Sequence, residues 1–149
     1  MLIETSRFGS IEVDDSRIMR FRDGMPGFPG EQRFALLQTN NDPAFFWLQS
    51  VDRPELAFVV CDPLTFVPDF QATIRREELE SIDADAVEAC QVFVIVNKVD
   101  GALTANLLGP LVIGVNSLLG RQLVLSEKKY STRHRLMSAR STRPVARTA

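Results

Sequence analysis

Apolar and polar residues alternate along Leu2–Thr5 and Ile11–Val13, with Phe8-Gly9-Ser10 between them. That pattern predicts two short strands joined by a tight turn. Arg17–Phe21 reads as a third strand. The next nine residues, 22–30, contain three glycines and two prolines, so neither a helix nor a central strand can pass through them and a structured loop is expected. Phe34–Gln38, Phe45–Ser50 and Ala57–Cys61 follow as strand-length runs, and Phe70–Ile74 as a weaker one. Between Arg75 and Ala89 the period changes. Leu79, Ile82, Ala86 and Ala89 recur at steps of three and four, with glutamates at 77, 78 and 80 opposite, which predicts an amphipathic helical segment broken near Asp83. Val92–Val96 is apolar on both faces and β-branched at four of its five positions, the signature of a fully buried central strand. Leu103–Leu108, Leu111–Val115 and Gln122–Leu125 complete the series, punctuated by Gly109-Pro110 and Gly120. About ten strands at short spacing with one short helical segment near 75–89 predict an all-β, mainly antiparallel fold. A compact, barrel-like single domain is expected over residues 1–130.

Composition narrows the function classes. The 149-residue chain is 45% hydrophobic and 24% charged, enough to build one core without a metal or disulfide staple. Cys61 and Cys90 stand 29 positions apart and form no metal-binding or disulfide pattern, so a reducing, cytoplasmic setting is expected. Apolar runs are far too short for a membrane helix, which predicts no membrane partner. One histidine, His134, excludes a multi-imidazole zinc site. No phosphate-binding glycine loop occurs. The chain therefore reads as no enzyme and as needing no cofactor.

Charge is unevenly distributed. The C-terminal stretch 131–149 holds five arginines and no acid, and reads as a basic, disordered tail. The remaining 12 basic and 19 acidic residues give the body a charge of −7. Such a body repels nucleic-acid phosphates and suits a basic protein partner. It also simply keeps a small domain soluble.

Few residues carry recognisable chemistry. Asp62 and Asp69 flank one loop and could form a general acid–base pair, although aspartates beside prolines ordinarily cap turns. Asp14 and Asp15 also sit at a turn. Phe45, Phe46 and Trp47 must point to alternating faces of their strand, so at least one faces outward or into a second layer. The tryptophan is either a core residue or a surface anchor. Both cysteines lie in or beside apolar runs and read as inert.

The ordered series of segments resembles the bacterial flagellar assembly factor family, FliW. The matching pieces are Phe21-Arg-Asp-Gly-Met-Pro-Gly-Phe28 with Phe34 downstream, Trp47-Leu-Gln-Ser-Val-Asp52, and Leu56-Ala-Phe-Val-Val60 with Asp62-Pro63. Phe66-Val-Pro-Asp-Phe70, Thr104-Ala-Asn-Leu-Leu-Gly-Pro-Leu-Val-Ile113 and Tyr130-Ser-Thr-Arg-His134 complete it. The resemblance spans residues 2–136. It implies a non-catalytic regulator with a barrel-like antiparallel fold and two partners, flagellin and the dimeric RNA-binding regulator CsrA. Binding would allosterically relieve CsrA repression of flagellin mRNA, and flagellin would be held as a chaperone's client, coupling its synthesis to secretion. A monomer with no direct nucleic-acid contact is expected. Exposed positions of the matched loops are the expected partner-binding residues: Asp52 and Glu55 after the Trp47 strand, Phe66 and Asp69 near Asp62-Pro63, and Asn106. The acids would act by charge complementarity and Phe66 as an apolar anchor, whereas Gly24, Pro26, Gly27 and Trp47 read as fold-determining. The chain departs from the family at Arg135, where a proline is usual, and in its longer C-terminus. The alternative reading is a direct RNA-binding protein acting through that arginine-rich tail.

Overall fold

The computed structural model describes residues 1–38 and 42–136. Its strands are β1 (Leu2–Thr5), β2 (Gly9–Glu12), β3 (Ile18–Phe21), β4 (Arg33–Gln38), β5 (Phe45–Ser50) and β6 (Ala57–Cys61). One short helix, α1 (Arg76–Ser81), precedes β7 (Cys90–Val99), β8 (Ala102–Ala105), β9 (Leu111–Gly114), β10 (Leu119–Gln122) and β11 (His134–Arg135). Strands β3 to β7 pair consecutively and antiparallel, β7 continues to β9 and β9 to β10. A parallel contact between β10 and β3 then closes a seven-stranded barrel. The ten-residue β7 serves both the barrel and its outer layer. Its first half, Cys90–Phe93, pairs with β9, and its second half, Val96–Val99, pairs with β8.

Strand alternation sorts the apolar residues into three cores. Inward-facing side chains, among them Met19, Phe21, Phe34, Leu48, Val60, Phe93 and Leu111, fill the barrel. Phe21 and Phe34 meet edge-to-face with centroids 5.8 Å apart. Outside, the β1–β2 hairpin sets Ile3 and Val13 against Ala35 of β4. A second outer layer lays Ile82, Leu107, Leu123, Tyr130 and Leu136 over the outward residues Val94, Val96 and Val112.

The barrel's two ends differ. At one, the glycine-rich segment turns back on itself through paired hydrogen bonds between Met25 and Phe28, and Met25 is buried in the barrel core. Gly24 is required there: its φ is +76°, and a Cβ would come within 2.5 Å of the Pro29 backbone. The other end, where β4, β6 and β9 finish, is open.

Several sequence expectations are corrected in detail. The first turn is Ser6–Phe8, with Gly9 and Ser10 already in β2. The weak strand at 70–74 is an extended strap without ladder partners, held by the Gln71 amide donating to the Tyr130 hydroxyl at 2.8 Å. The helical period yields only α1 and a 3₁₀ turn at Val87–Ala89, because Asp83 adopts φ 53° and stops the helix where the break was expected. Leu103–Leu108 stops as a strand at Ala105, where Asn106 starts a turn. The last run shifts upstream, so Gly120 lies inside β10 rather than between strands. The body also extends past residue 130. His134 and Arg135 pair with Ala105 and Thr104, and Leu136 is buried, so the start of the expected disordered tail is part of the fold. The rest of that tail, 137–149, lies outside the described residues.

Candidate partner-binding surfaces

The five expected partner-binding residues fall at three places. Asp52 and Glu55 occupy the β5–β6 loop at the closed end of the barrel. Buried Gln49 builds that loop, its side-chain amide donating to the carbonyls of Ser50, Pro54 and Leu56, each at 3.1 Å. The Ser50 hydroxyl accepts from the Asp52 and Arg53 amides at 3.3 and 3.0 Å. Above this frame lies a charged cluster. Asp52 takes two hydrogen bonds from the Arg33 guanidinium, at 2.5 and 3.2 Å, which hold its carboxyl below the ordinary carboxylate range. Arg53 lies 3.4 Å from Glu31, 3.9 Å from Glu55 and over the Phe28 ring. Asp52 is thus neutralised locally, while Glu55, well exposed and only loosely approached by Arg53, presents its charge outward.

Phe66 and Asp69 lie beyond the other end of β6. Asp62 caps a 3₁₀ turn at Pro63–Thr65 by accepting from the Leu64 amide at 2.9 Å, and this turn directs Phe66 back onto Phe45. The two rings stack with centroids 5.6 Å apart, leaving Phe66 half-buried. Asp69 is exposed in the turn that follows. A five-residue strand separates this pair from Glu55, roughly 13 Å of rise. Asn106 sits apart from both, half-buried. Its side-chain oxygen accepts from the Leu108 and Gly109 amides at 3.1 and 3.0 Å and so shapes the turn leading to β9.

The aromatic trio distributes as alternation requires. Phe46 points into the barrel toward Phe93, Phe45 outward toward Phe66, and Trp47 outward beneath the hairpin turn. Phe8 meets Trp47 edge-on at 6.1 Å, and the Arg7 guanidinium lies 4.5 Å from its ring centre.

Single-chain patterns did not reveal the open mouth of the barrel. A cavity of about 580 Å³ there is floored by Met19, Leu36, Phe46, Phe93 and Ile113 and rimmed by Asp62 and Gln91. A second cavity of about 550 Å³ lies outside β7, between Cys90–Val92 and the 70–74 strap. Among the described residues no group of three or more His, Cys, Asp or Glu side chains could hold a metal ion. Among the same residues no helix is long and apolar enough to cross a membrane.

The family model for FliW protein matches residues 2–136, nearly the whole described body. The chain belongs to the FliW family. It is 40% identical over 141 residues to the flagellar assembly factor FliW of Heliobacterium modesticaldum, covering 93% of this chain and 92% of that one. The Treponema denticola flagellar assembly factor FliW is 37% identical over 140 residues, with 93% and 95% covered. A crystal structure of the flagellar assembly factor FliW superposes with a TM-score of 0.83 at 36% identity, covering 91% of this chain and 96% of that one. The FliW resemblance read from six ordered motifs and the all-β barrel are therefore both shown.

Proposed function

We propose that this FliW-family protein is a cytoplasmic regulator that binds CsrA and allosterically relieves its repression of flagellin mRNA. It also binds flagellin as a chaperone, so that flagellin synthesis follows secretion. The observation that carries this reading is family membership across residues 2–136, with the barrel of a flagellar assembly factor preserved. The −7 body supports it, since it favours a basic protein over a nucleic acid. No step requires catalysis: a binder that competes for a regulator acts by mass action alone.

Within this reading Glu55 supplies the outward charge at the closed end, and Asp52 holds Arg33 beside it. Phe66 and Asp69 form a separate apolar-and-acidic corner. Asn106 positions its turn.

The test is a titration of the full chain into a preformed complex of CsrA and labelled flagellin-leader RNA, followed by anisotropy. The expected result is a fall to the free-RNA value, with no binding of the chain to RNA alone. Unchanged anisotropy at large excess refutes CsrA antagonism, and a rise assigns RNA contact to the arginine-rich C-terminus. Glu55→Lys should weaken antagonism without altering thermal stability. Unaltered affinity removes that end of the barrel from the CsrA interface.

A further inference from the structure

The β6–β7 ladder stops early. Its last pair is Cys61 with Val94, after which the chain leaves as the Pro63–Thr65 turn, which packs beside β7 but adds no ladder pair to Cys90–Phe93. The opposite edge of the same four residues is fully used by β9. Strand alternation directs the Val92 amide and the Cys90 and Val92 carbonyls toward the vacated side. One of these is covered only by a local substitute, the exposed Gln91 side chain donating to the Val92 carbonyl at 3.3 Å.

The two cavities described above lie on the two faces of this edge. Phe93 lines the mouth of the barrel and Cys90 and Val92 the outer groove, with Gln91 and Asp62 touching both. A strand laid beside β7 projects alternate side chains to opposite faces, so one set would enter each cavity. Both cavities are mainly apolar, which calls for an occupant apolar at successive positions. Leu64 and Val87, 52% and 46% exposed, border the outer groove, where a strand's apolar flank would cover them. Asp62 and the neighbouring Glu88 are the charges beside the edge, and no lysine or arginine lines either cavity.

We propose that the Cys90–Phe93 edge of β7 accepts an extended apolar segment with basic flanks from a partner protein, added as a strand where β6 leaves the sheet. Main-chain hydrogen bonds supply the affinity, and the paired cavities select side chains. This surface lies away from Glu55, so it stands or falls independently of the role given to the closed end.

The probe is a fluorescein-labelled peptide, Lys-Val-Ile-Val-Phe-Lys, titrated against the full chain by anisotropy. Two N-methylated versions are compared, each blocking the amides of one edge. Saturable binding is expected for the parent and for one methylated form, with the other weakened by about tenfold or more as its strand hydrogen bonds are lost. Bound peptide should slow iodoacetamide alkylation of Cys90. Leu64→Asp and Val87→Asp, both at exposed positions, should weaken binding with an unchanged melting temperature. Replacing the peptide's lysines by aspartates should weaken it further. Absence of saturable binding, equal effects of the two methylation patterns, or indifference to both substitutions overturns the proposal. A peptide copying residues 137–149 that outcompetes the probe would assign the edge to the chain's own C-terminus, and would overturn the partner reading too.

Discussion

Gly120→Ala is a demanding test of how the barrel closes. Gly120 stands in β10, paired with Ile113 on one side and Phe21 on the other. Its backbone φ lies outside the left-handed region, so conformational freedom is not what the position needs. In an open strand the change to alanine would stabilise by roughly 0.5–1 kcal/mol, because alanine loses less backbone freedom on folding. Here an added Cβ would lie 2.7 and 2.9 Å from two ring carbons of Phe21 and 3.0 Å from a side-chain carbon of Ile113. Phe21 is completely buried against Phe34, and Ile113 is nearly so, leaving neither free to retreat. Overpacking of this kind costs about 1–3 kcal/mol, so steric crowding outweighs the entropic gain and the net change is destabilising. Urea denaturation should show a lower midpoint at unchanged slope. Adding Phe21→Leu, which withdraws the clashing ring edge, should make the glycine substitution cheaper by at least about 0.5 kcal/mol than in the parent. A neutral or stabilised Gly120→Ala, or strict additivity with Phe21→Leu, would refute the close contact across the seam.

Asn106→Ala should destabilise by about 1–2 kcal/mol through loss of two hydrogen bonds, whereas Asn106→Asp, retaining the acceptor, should stay close to the parent; equal losses in chemical denaturation would contradict the turn-shaping role. The two thiols should differ sharply with Ellman's reagent. Cys90 should react first, while Cys61, buried and with its thiol pushed up to about 12, should react only as fast as the chain unfolds. Because Arg33 lowers the Asp52 carboxyl, the pair's stabilisation is present above the unfolded value near pH 4 and is lost as pH falls through the folded one. For a pair this exposed it amounts to less than about 1 kcal/mol, so Asp52→Asn should lower stability slightly at pH 7, by an amount that shrinks as the solution is acidified below pH 4. A difference that does not shrink on acidification would mean that Asp52 acts through packing.

Local patterns revealed most of the strands because each carries its own signal. Val92–Val96 is apolar at every position, and from Phe93 onward it is buried on both faces. The glycine and proline density of residues 22–30 likewise announced the loop that closes one end. Failures arose where a distant residue decides the outcome. The Gln71 amide is satisfied by Tyr130, 59 residues away, so the 70–74 run needs no ladder. Gly120 looked like punctuation because the Phe21 ring that requires it lies about a hundred positions earlier. The candidate site was less legible. Asp52 and Glu55 look equivalent in sequence, yet the pairing of β3, β4 and β5 brings Arg33 to one and leaves the other outward. The mouth of the barrel is made by strand ends from segments spread between Met19 and Leu118, and no local pattern encodes where a strand runs out of partners.

The parallel contact that closes the barrel joins only Leu119 with Arg20 and Gly120 with Phe21. Its two sides stand 99 positions apart in the chain. During synthesis, β3 therefore emerges and pairs with β4 long before β10 exists, and its outer edge must wait for the last strands of the ring. Closure is an intrinsically slow step, a non-local pairing that carries its full loop entropy for two register pairs. Until then the nascent chain is an open, curling sheet with an apolar inner face. The same short seam is the place where a finished barrel would first unzip, so hydrogen exchange at the Arg20 amide, which donates across it to the Leu118 carbonyl at 2.9 Å, should report opening of the ring ahead of global unfolding.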